Sequence, residues 1–182
     1  MAFIPTEIKD VWVIEPKIFE DERGYFFESF NAEQFNKETG LNVNFVQDNQ
    51  SKSNKGVLRG LHYQVGEHAQ AKLVRVLQGS VQDVAVDLRK NSPTFGKHFS
   101  IVLSAENNKQ LFVPRGFAHG FLVLEDNTIF AYKCDNFYNK ESEGGMIYND
   151  NTINIKWELG QNEYVLSEKD SILPNLENAR RF

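Results

Sequence analysis

The segment Ala71–Leu88, AKLVRVLQGSVQDVAVDL, decides the fold class. It breaks at Gly79 into two runs, Ala71–Leu77 and Val81–Leu88, both Val-rich and too short for helices. In the second run Gln82, Val84, Val86 and Leu88 share one face, and Val81, Asp83, Ala85 and Asp87 share the other. The face that mixes small residues with carboxylates suits either solvent or a wet interior cavity of a barrel, and the pattern does not choose between them.

Runs of the same kind recur outward in both directions, at Val11–Glu15, Tyr25–Phe30, Val43–Gln47, His98–Leu103, Gln110–Val113, Phe121–Leu124, Ile129–Asn136 and Asn154–Leu159. One helix is predicted, with Asn31 as N-cap, AEQFNKET as its body and Gly40 just past its end. A second short helical or turn piece is predicted at Glu163–Lys169. About ten short strands with almost no helix between them exclude βαβ architectures. The expectation is an all-β protein: an antiparallel jelly-roll barrel with a few short helices. It is read as one domain over residues 1–182, with an N-terminal arm and a C-terminal tail, NLENARRF.

Composition removes several function classes. The longest uninterrupted hydrophobic run is four residues, as in Phe121–Leu124, against about 20 for a membrane-spanning helix. The first residues, MAFIPTEIKD, lack the basic and apolar regions of a signal peptide. Cys134 is the single cysteine, so no disulfide forms within the chain, and the cytoplasm is the expected compartment. Net charge is −5 and the basic residues are scattered, which argues against a nucleic-acid surface but leaves room for a local anion pocket. Aromatic residues reach 13%, with 15 Phe against two Met, a bias that calls for a use in the core or in a site.

Two of the four histidines sit in similar settings. His62 lies in LRGLHYQ and His119 in PRGFAHGF, each flanked by Gly and apolar residues and preceded by an Arg. Either can be a hydrogen-bonded structural histidine; a pair in a barrel fold, whose ligand cavities open at the mouth, points to a site. The spacing Pro114-x-Gly116-x-x-His119 resembles the second motif of the cupin superfamily of small jelly-roll barrels. The His-x-His of the first cupin motif reads His62-Tyr63-Gln64 here, so one metal-ligating imidazole is missing. A metal would have to use His62, His119 and Glu67, and no metal is expected.

The remaining groups suit proton transfer. Histidine is a base near neutrality. Tyr132, in IFAYKCDNF, can be a proton donor or an ordinary core tyrosine. Lys72 could stabilise an enolate oxygen. Arg23 and Arg59 each precede a Gly and can hold phosphate or form surface ion pairs. Gln47 and Asn49 share parity and can face one cavity. Cys134 shares parity with Tyr132, has no evident basic neighbour on that face and reads as an interior filler. Strict alternation puts Arg59 and His62 on opposite faces, so if both line a site, Gly60 must mark a bulge or twist.

Six blocks carry a closer likeness: FEDERGYFFESFN, FVQDNQSKSNKGVLRGLHYQ, AKLVRVLQGSVQDVAVDLRKNSPTFG, LFVPRGFAHGFLVL, AYKCDNFY and LSEKDSILP. In this order they resemble the dTDP-4-dehydrorhamnose 3,5-epimerase family over roughly residues 19–174. The resemblance implies inversion of C3 and C5 of a dTDP-4-keto-6-deoxyhexose without metal or organic cofactor. It implies His62 as base, Asp170 as its carboxylate partner, Tyr132 as acid, and Lys72 polarising the C4 oxygen, with His119 nearby. It assigns Arg23 and Arg59 to the pyrophosphate, and Glu28, Gln47 and Asn49 to the nucleotide. Glu143 and Lys169 also line the implied site, and Tyr138 and Phe26 would stack on thymine or sugar. A homodimer is implied, with the N-terminal part reaching the neighbouring subunit. Asp83 is our own candidate to support Lys72 or His119. A monofunctional 3- or 5-epimerase and a metal-dependent cupin enzyme are the alternatives. The chain departs from the family pattern at Tyr148, Asn151 and Glu158, where Trp, Pro and Pro are usual, so local loop changes are expected there.

Overall fold

The computed structural model describes residues 1–182 and is built from two antiparallel sheets. The strands, in chain order, are β1 (Ala2–Pro5), β2 (Trp12–Glu15), β3 (Phe19–Asp21), β4 (Gly24–Phe26), β5 (Gln47–Ser53), β6 (Leu58–Gln64), β7 (Lys72–Gln78), β8 (Ser80–Asp87), β9 (His98–Ser104), β10 (Gln110–Val113), β11 (Phe117–Val123), β12 (Thr128–Cys134) and β13 (Glu143–Gly145). The helices are α1 (Ala32–Thr39) and the short α2 (Glu168–Ser171). One sheet runs β1-β2-β10-β7-β12-β5 and the other β13-β6-β11-β8-β9, while β3 and β4 pair only with each other. This is the expected jelly roll.

The apolar interior between the sheets takes Val74, Val76 and Leu111 from one and Val81, Ala85, Leu103 and Val123 from the other. Both faces of β8 are buried. The Val81–Asp83–Ala85 face points into the sandwich, which answers the question its carboxylate raised. The Val84–Val86 face is covered by a C-terminal layer that includes Ile153, Ile155, Leu176 and Ala179. Helix α1 forms as the sequence predicts, with Asn31 Oδ1 accepting from Gln34 N at 2.9 Å and Gly40 at φ 69° closing its end. Its Phe35 packs on Phe112, Ile14 and Leu73 on the outer face of the first sheet.

The exceptions have physical causes. Val43–Gln47 is not a strand. Val43 and Phe45 pack beside α1, Asn36 bonds Val43 N, and pairing starts at Gln47. The actual strand, QDNQSKS, was illegible by hydropathy because its inward residues are polar. Asn154–Leu159 has the alternation of a strand, burying Ile155 and half-burying Trp157 and Leu159, but no ladder. The Gln82 side chain holds it instead, donating to Lys156 O at 2.8 Å and accepting from Glu158 N at 2.8 Å. Tyr25–Phe30 pairs only as far as Phe26. The strand β6 was missed because Arg59, Gly60, His62 and Gln64 interrupt its apolar pattern. At the departures from the family pattern, Tyr148 packs edge-on against Tyr164 and its carbonyl accepts from Trp157 Nε1 at 3.0 Å. No helix is long and apolar enough to cross a membrane.

Candidate active site

The two sheets diverge around a cavity of about 510 Å³. One wall carries Arg59 and His62 from β6 with His119 and Phe121 from β11. The facing wall carries Asn49 from β5, Lys72 from β7, and Phe130 and Tyr132 from β12. The segment Val165–Asp170 closes one side.

The expected irregularity at Gly60 is present. His119 pairs opposite His62, but Phe121 pairs opposite Arg59, so β6 carries one residue more than β11 between these points. The extra residue returns Arg59 to the wall that His62 occupies. Gly60 has φ 124°, and a Cβ there would come within 2.7 Å of Gly120 Cα, so only glycine fits.

His62 Nε2 lies 2.5 Å from Asp170 Oδ1. An ionised carboxylate only accepts, so Nε2 carries the proton and Nδ1 keeps the basic lone pair. The stretch Ser167-Glu-Lys-Asp170 explains why the carboxylate is in place. Ser167 caps α2, its Oγ accepting from Asp170 N at 3.1 Å, and leaves the Asp170 side chain free for His62. Burial alone would raise the Asp170 carboxyl. The bond and charge of His62, with Ser167 and the Gly60 backbone, outweigh it and hold the carboxyl below its ordinary range. The His62 side chain is 39% exposed and that of Asp170 only 6%.

A second pair lies deeper. His119 Nε2 reaches both oxygens of Asp83, at 2.9 and 3.0 Å, with side-chain exposures of 6% and 0%. Lys72 stands over the Tyr132 ring, its Nζ 5.9 Å from the centroid. Burial pushes the Lys72 ammonium down, opposed by Cys134 and Asp83. Burial, helped by Cys134 and countered by Arg59, pushes the Tyr132 phenol up, so it is a protonated donor at neutral pH. Cys134 pairs directly opposite Lys72, which corrects the expectation that it has no basic neighbour. Burial, the largest influence on its thiol, still raises the pKa.

The remaining residues divide into two groups. Asn49, Gln47, Tyr138, Glu143 and Lys169 form a hydrogen-bonded chain whose two ends, Asn49 and Lys169, line the cavity. Gln47 Nε2 donates to Asn49 Oδ1 at 3.1 Å, Tyr138 N to Gln47 Oε1 at 3.3 Å, Tyr138 OH to Glu143 Oε1 at 3.1 Å, and Lys169 Nζ to Glu143 Oε2 at 2.6 Å. Arg59 donates to Ser53 Oγ. Arg23, Phe26 and Glu28 are not brought to this cavity within one chain. Arg23 pairs with Asp21 on the exposed β3–β4 hairpin, Phe26 is 71% exposed there, and Glu28 accepts from Asn31 Nδ2. The hairpin joins neither sheet, so nothing in its own chain draws it inward.

Sequence reasoning missed Phe121, Phe130 and Ser167 as wall residues. The parity shared by Phe130 and Tyr132, and the Ser-x-x-Asp cap, were the available signals. The trio offered for a metal does not assemble: Glu67 lies beside His68, and nowhere do three His, Cys, Asp or Glu side chains form a metal-ligating group.

A jelly-roll barrel that holds a carboxylate-paired histidine opposite a tyrosine and a lysine brings the groups needed for proton transfer into one cavity. The family model described as dTDP-4-dehydrorhamnose 3,5-epimerase matches residues 5–178. The chain is 58% identical over 170 residues to the dTDP-4-dehydrorhamnose 3,5-epimerase of Shigella flexneri, covering 93% of each. It superposes on the crystal structure of the dTDP-4-dehydrorhamnose 3,5-epimerase from Elizabethkingia anophelis with a TM-score of 0.95 and 58% identity, covering 98% of this chain and 97% of that one. A dTDP-6-deoxy-D-glucose-3,5-epimerase from Legionella pneumophila, solved in complex with dTDP-4-keto-L-rhamnose, is 48% identical with a TM-score of 0.94, covering 100% of this chain and 98% of that one. The chain belongs to the dTDP-4-dehydrorhamnose 3,5-epimerase family.

Proposed function

We propose that the protein inverts C3 and then C5, or the reverse, of dTDP-4-dehydro-6-deoxy-D-glucose, giving dTDP-4-dehydro-L-rhamnose for dTDP-L-rhamnose biosynthesis. The observation that carries this reading is the placement of His62 and Tyr132 on opposite walls of one cavity, with Lys72 beside the tyrosine. C3 and C5 both flank the C4 ketone, so removing a proton from either leaves negative charge on the ketone oxygen. His62 Nδ1 takes the proton from one sugar face while the Asp170 carboxylate stabilises the imidazolium. Lys72 stabilises the enolate oxygen, whose arrival offsets the burial that disfavours the ammonium. Tyr132 then protonates the same carbon from the other face, and inversion results. Each proton delivered has exchanged with solvent.

Arg59 holds the pyrophosphate, Asn49 and Gln47 meet the nucleotide, and Glu143, Lys169 and Tyr138 form the rim around the sugar. The reaction needs no metal or organic cofactor. The same reading makes the chain a single working unit and a cytoplasmic homodimer. In that dimer the β3–β4 hairpin, with Phe19, Tyr25 and Phe26 exposed on it, carries Arg23, Phe26 and the nearby Glu28 to the cavity of a second copy.

Turnover of the 4-keto sugar nucleotide in D₂O tests the chemistry. Deuterium is expected at both C3 and C5. A product deuterated at one carbon alone would identify a monofunctional epimerase instead. Mixing inactive Arg23→Ala and His62→Ala proteins tests the dimer: exchange of subunits should restore activity, and no recovery would overturn the shared site.

A further inference from the structure

We infer that the C-terminal residues Arg180–Phe182 form a latch that sets the position of the active-site rim, with Arg180 as its positioning residue. This rests on the proposed function, since the rim strand β13 carries Glu143. That strand has only three residues and is the edge of its sheet, with β6 as its single neighbouring strand. Its partners in the ladder are Gln64, Tyr63 and His62, so β13 lies along the strand that carries His62 and places Glu143 at the end of the ladder away from it.

The tail supplies what the short ladder lacks. Arg180 Nη1 donates to Glu141 O at 2.6 Å and to Glu143 O at 3.2 Å. One guanidinium thus caps the carbonyl end of the turn Lys140–Ser142 and grips the first residue of β13. The Arg180 carbonyl in turn accepts from Tyr63 OH at 2.7 Å. Tyr63 is the immediate neighbour of His62 on β6 and faces the other way, into the buried outer layer. Its ring packs against Gly144 of β13: a Cβ there would fall 2.3 Å from Tyr63 Cε2. The Phe182 ring packs on the same tyrosine with centroids 5.2 Å apart. Buried Leu176 and Ala179 anchor the tail just before these contacts.

The arrangement reaches the substrate side through Glu143. Its backbone is fixed by Arg180, and its carboxylate takes Lys169 on α2 and the Tyr138 hydroxyl. Loss of the Arg180 contacts loosens the strand at Glu143 but leaves His62, Asp170, Lys72 and Tyr132 in place. The effect falls on binding rather than on chemistry.

The test compares Arg180→Ala and Tyr63→Phe with wild type, measuring KM and kcat for the 4-keto sugar nucleotide and hydrogen exchange of the segment 139–147. Tyr63→Phe removes one oxygen and keeps the ring, so it guards against a variant that fails to fold. For Arg180→Ala, KM is expected to rise about tenfold with kcat within about threefold, and for Tyr63→Phe the KM rise is about threefold. Exchange of 139–147 should quicken in both, and Arg180→Lys should recover part of the KM. Unchanged KM and exchange in both variants would overturn the latch, as would a fall in kcat at constant KM. Absence of turnover by the wild-type protein would instead count against the proposed function, while the exchange result still decides whether the tail holds β13.

Discussion

The molecule contains two histidine–carboxylate pairs of nearly the same make, and they differ in where they lie. His62–Asp170 joins a strand to a helix 108 residues further along, with the imidazole partly open to the cavity. His119–Asp83 joins two adjacent strands of one sheet deep in the cavity wall, with side-chain exposures of only 6% and 0%. Both imidazoles meet their carboxylate through Nε2, but the first is 39% exposed where it lines the cavity a substrate would fill. The second has both carboxylate oxygens on one imidazole N–H and belongs to the wall. The difference teaches that a His–Asp contact is not in itself a catalytic device; access decides whether the histidine can exchange a proton with a ligand.

The comparison breaks most directly at the open pair. His62→Ala should lower kcat/KM by about 10³-fold or more while leaving the fold intact, because it removes the proposed base. A loss under about tenfold would show that His62 is not that base. Tyr132→Phe should follow at about 10²–10³-fold in net inversion. The histidine still removes protons in that variant, so substrate recovered from D₂O should carry label without inversion. Recovery of unlabelled substrate would mean that Tyr132 takes part in deprotonation as well.

The deep pair should respond differently. Asp83→Asn leaves the reacting groups in place but removes a buried negative charge beside Lys72 and His119. Activity should fall only about 10- to 50-fold, while stability drops by about 2–4 kcal/mol from loss of a buried charged hydrogen bond. Denaturant unfolding and steady-state kinetics on the same preparation check both halves. If Asp83→Asn lost as much activity as His62→Ala with little loss of stability, the deep pair would have to take part in catalysis alongside the open one.

The same contrast accounts for what could be read from sequence. The apolar strands around Val74, Val84 and Leu111 were legible because hydrophobic periodicity reports burial against a dry core. The strands that build the site were the least legible. β5 turns Asn49 and Ser51 toward a polar cavity, and β6 is interrupted by the Gly60 bulge that gathers Arg59 and His62. Function had removed the signal that predicts a strand. The pairing of His62 with Asp170 was beyond any local pattern, since it depends on where the chain returns after 108 residues. It was available only through resemblance. Asp83 was visible as a carboxylate on an otherwise small-residue face, but its partner, His119, was open between two choices until the register of β8 and β11 was known.

The smallest expected effect concerns acid stability of the open pair. Asp170 is held below its ordinary pKa in the folded state, so its stabilisation is fully present above the unfolded value, about 3.9. It is lost as pH falls through the lower folded value. Asp170→Asn removes this titration. At pH 7 the variant should melt about 2–5 °C below wild type. The gap should narrow steadily below about pH 4 as the wild-type carboxylate takes up its proton. Melting curves from pH 7 to pH 3 measure it directly. A gap that stays constant across that range would show that the loss arises from geometry at the cap of α2 and not from the charge that faces His62.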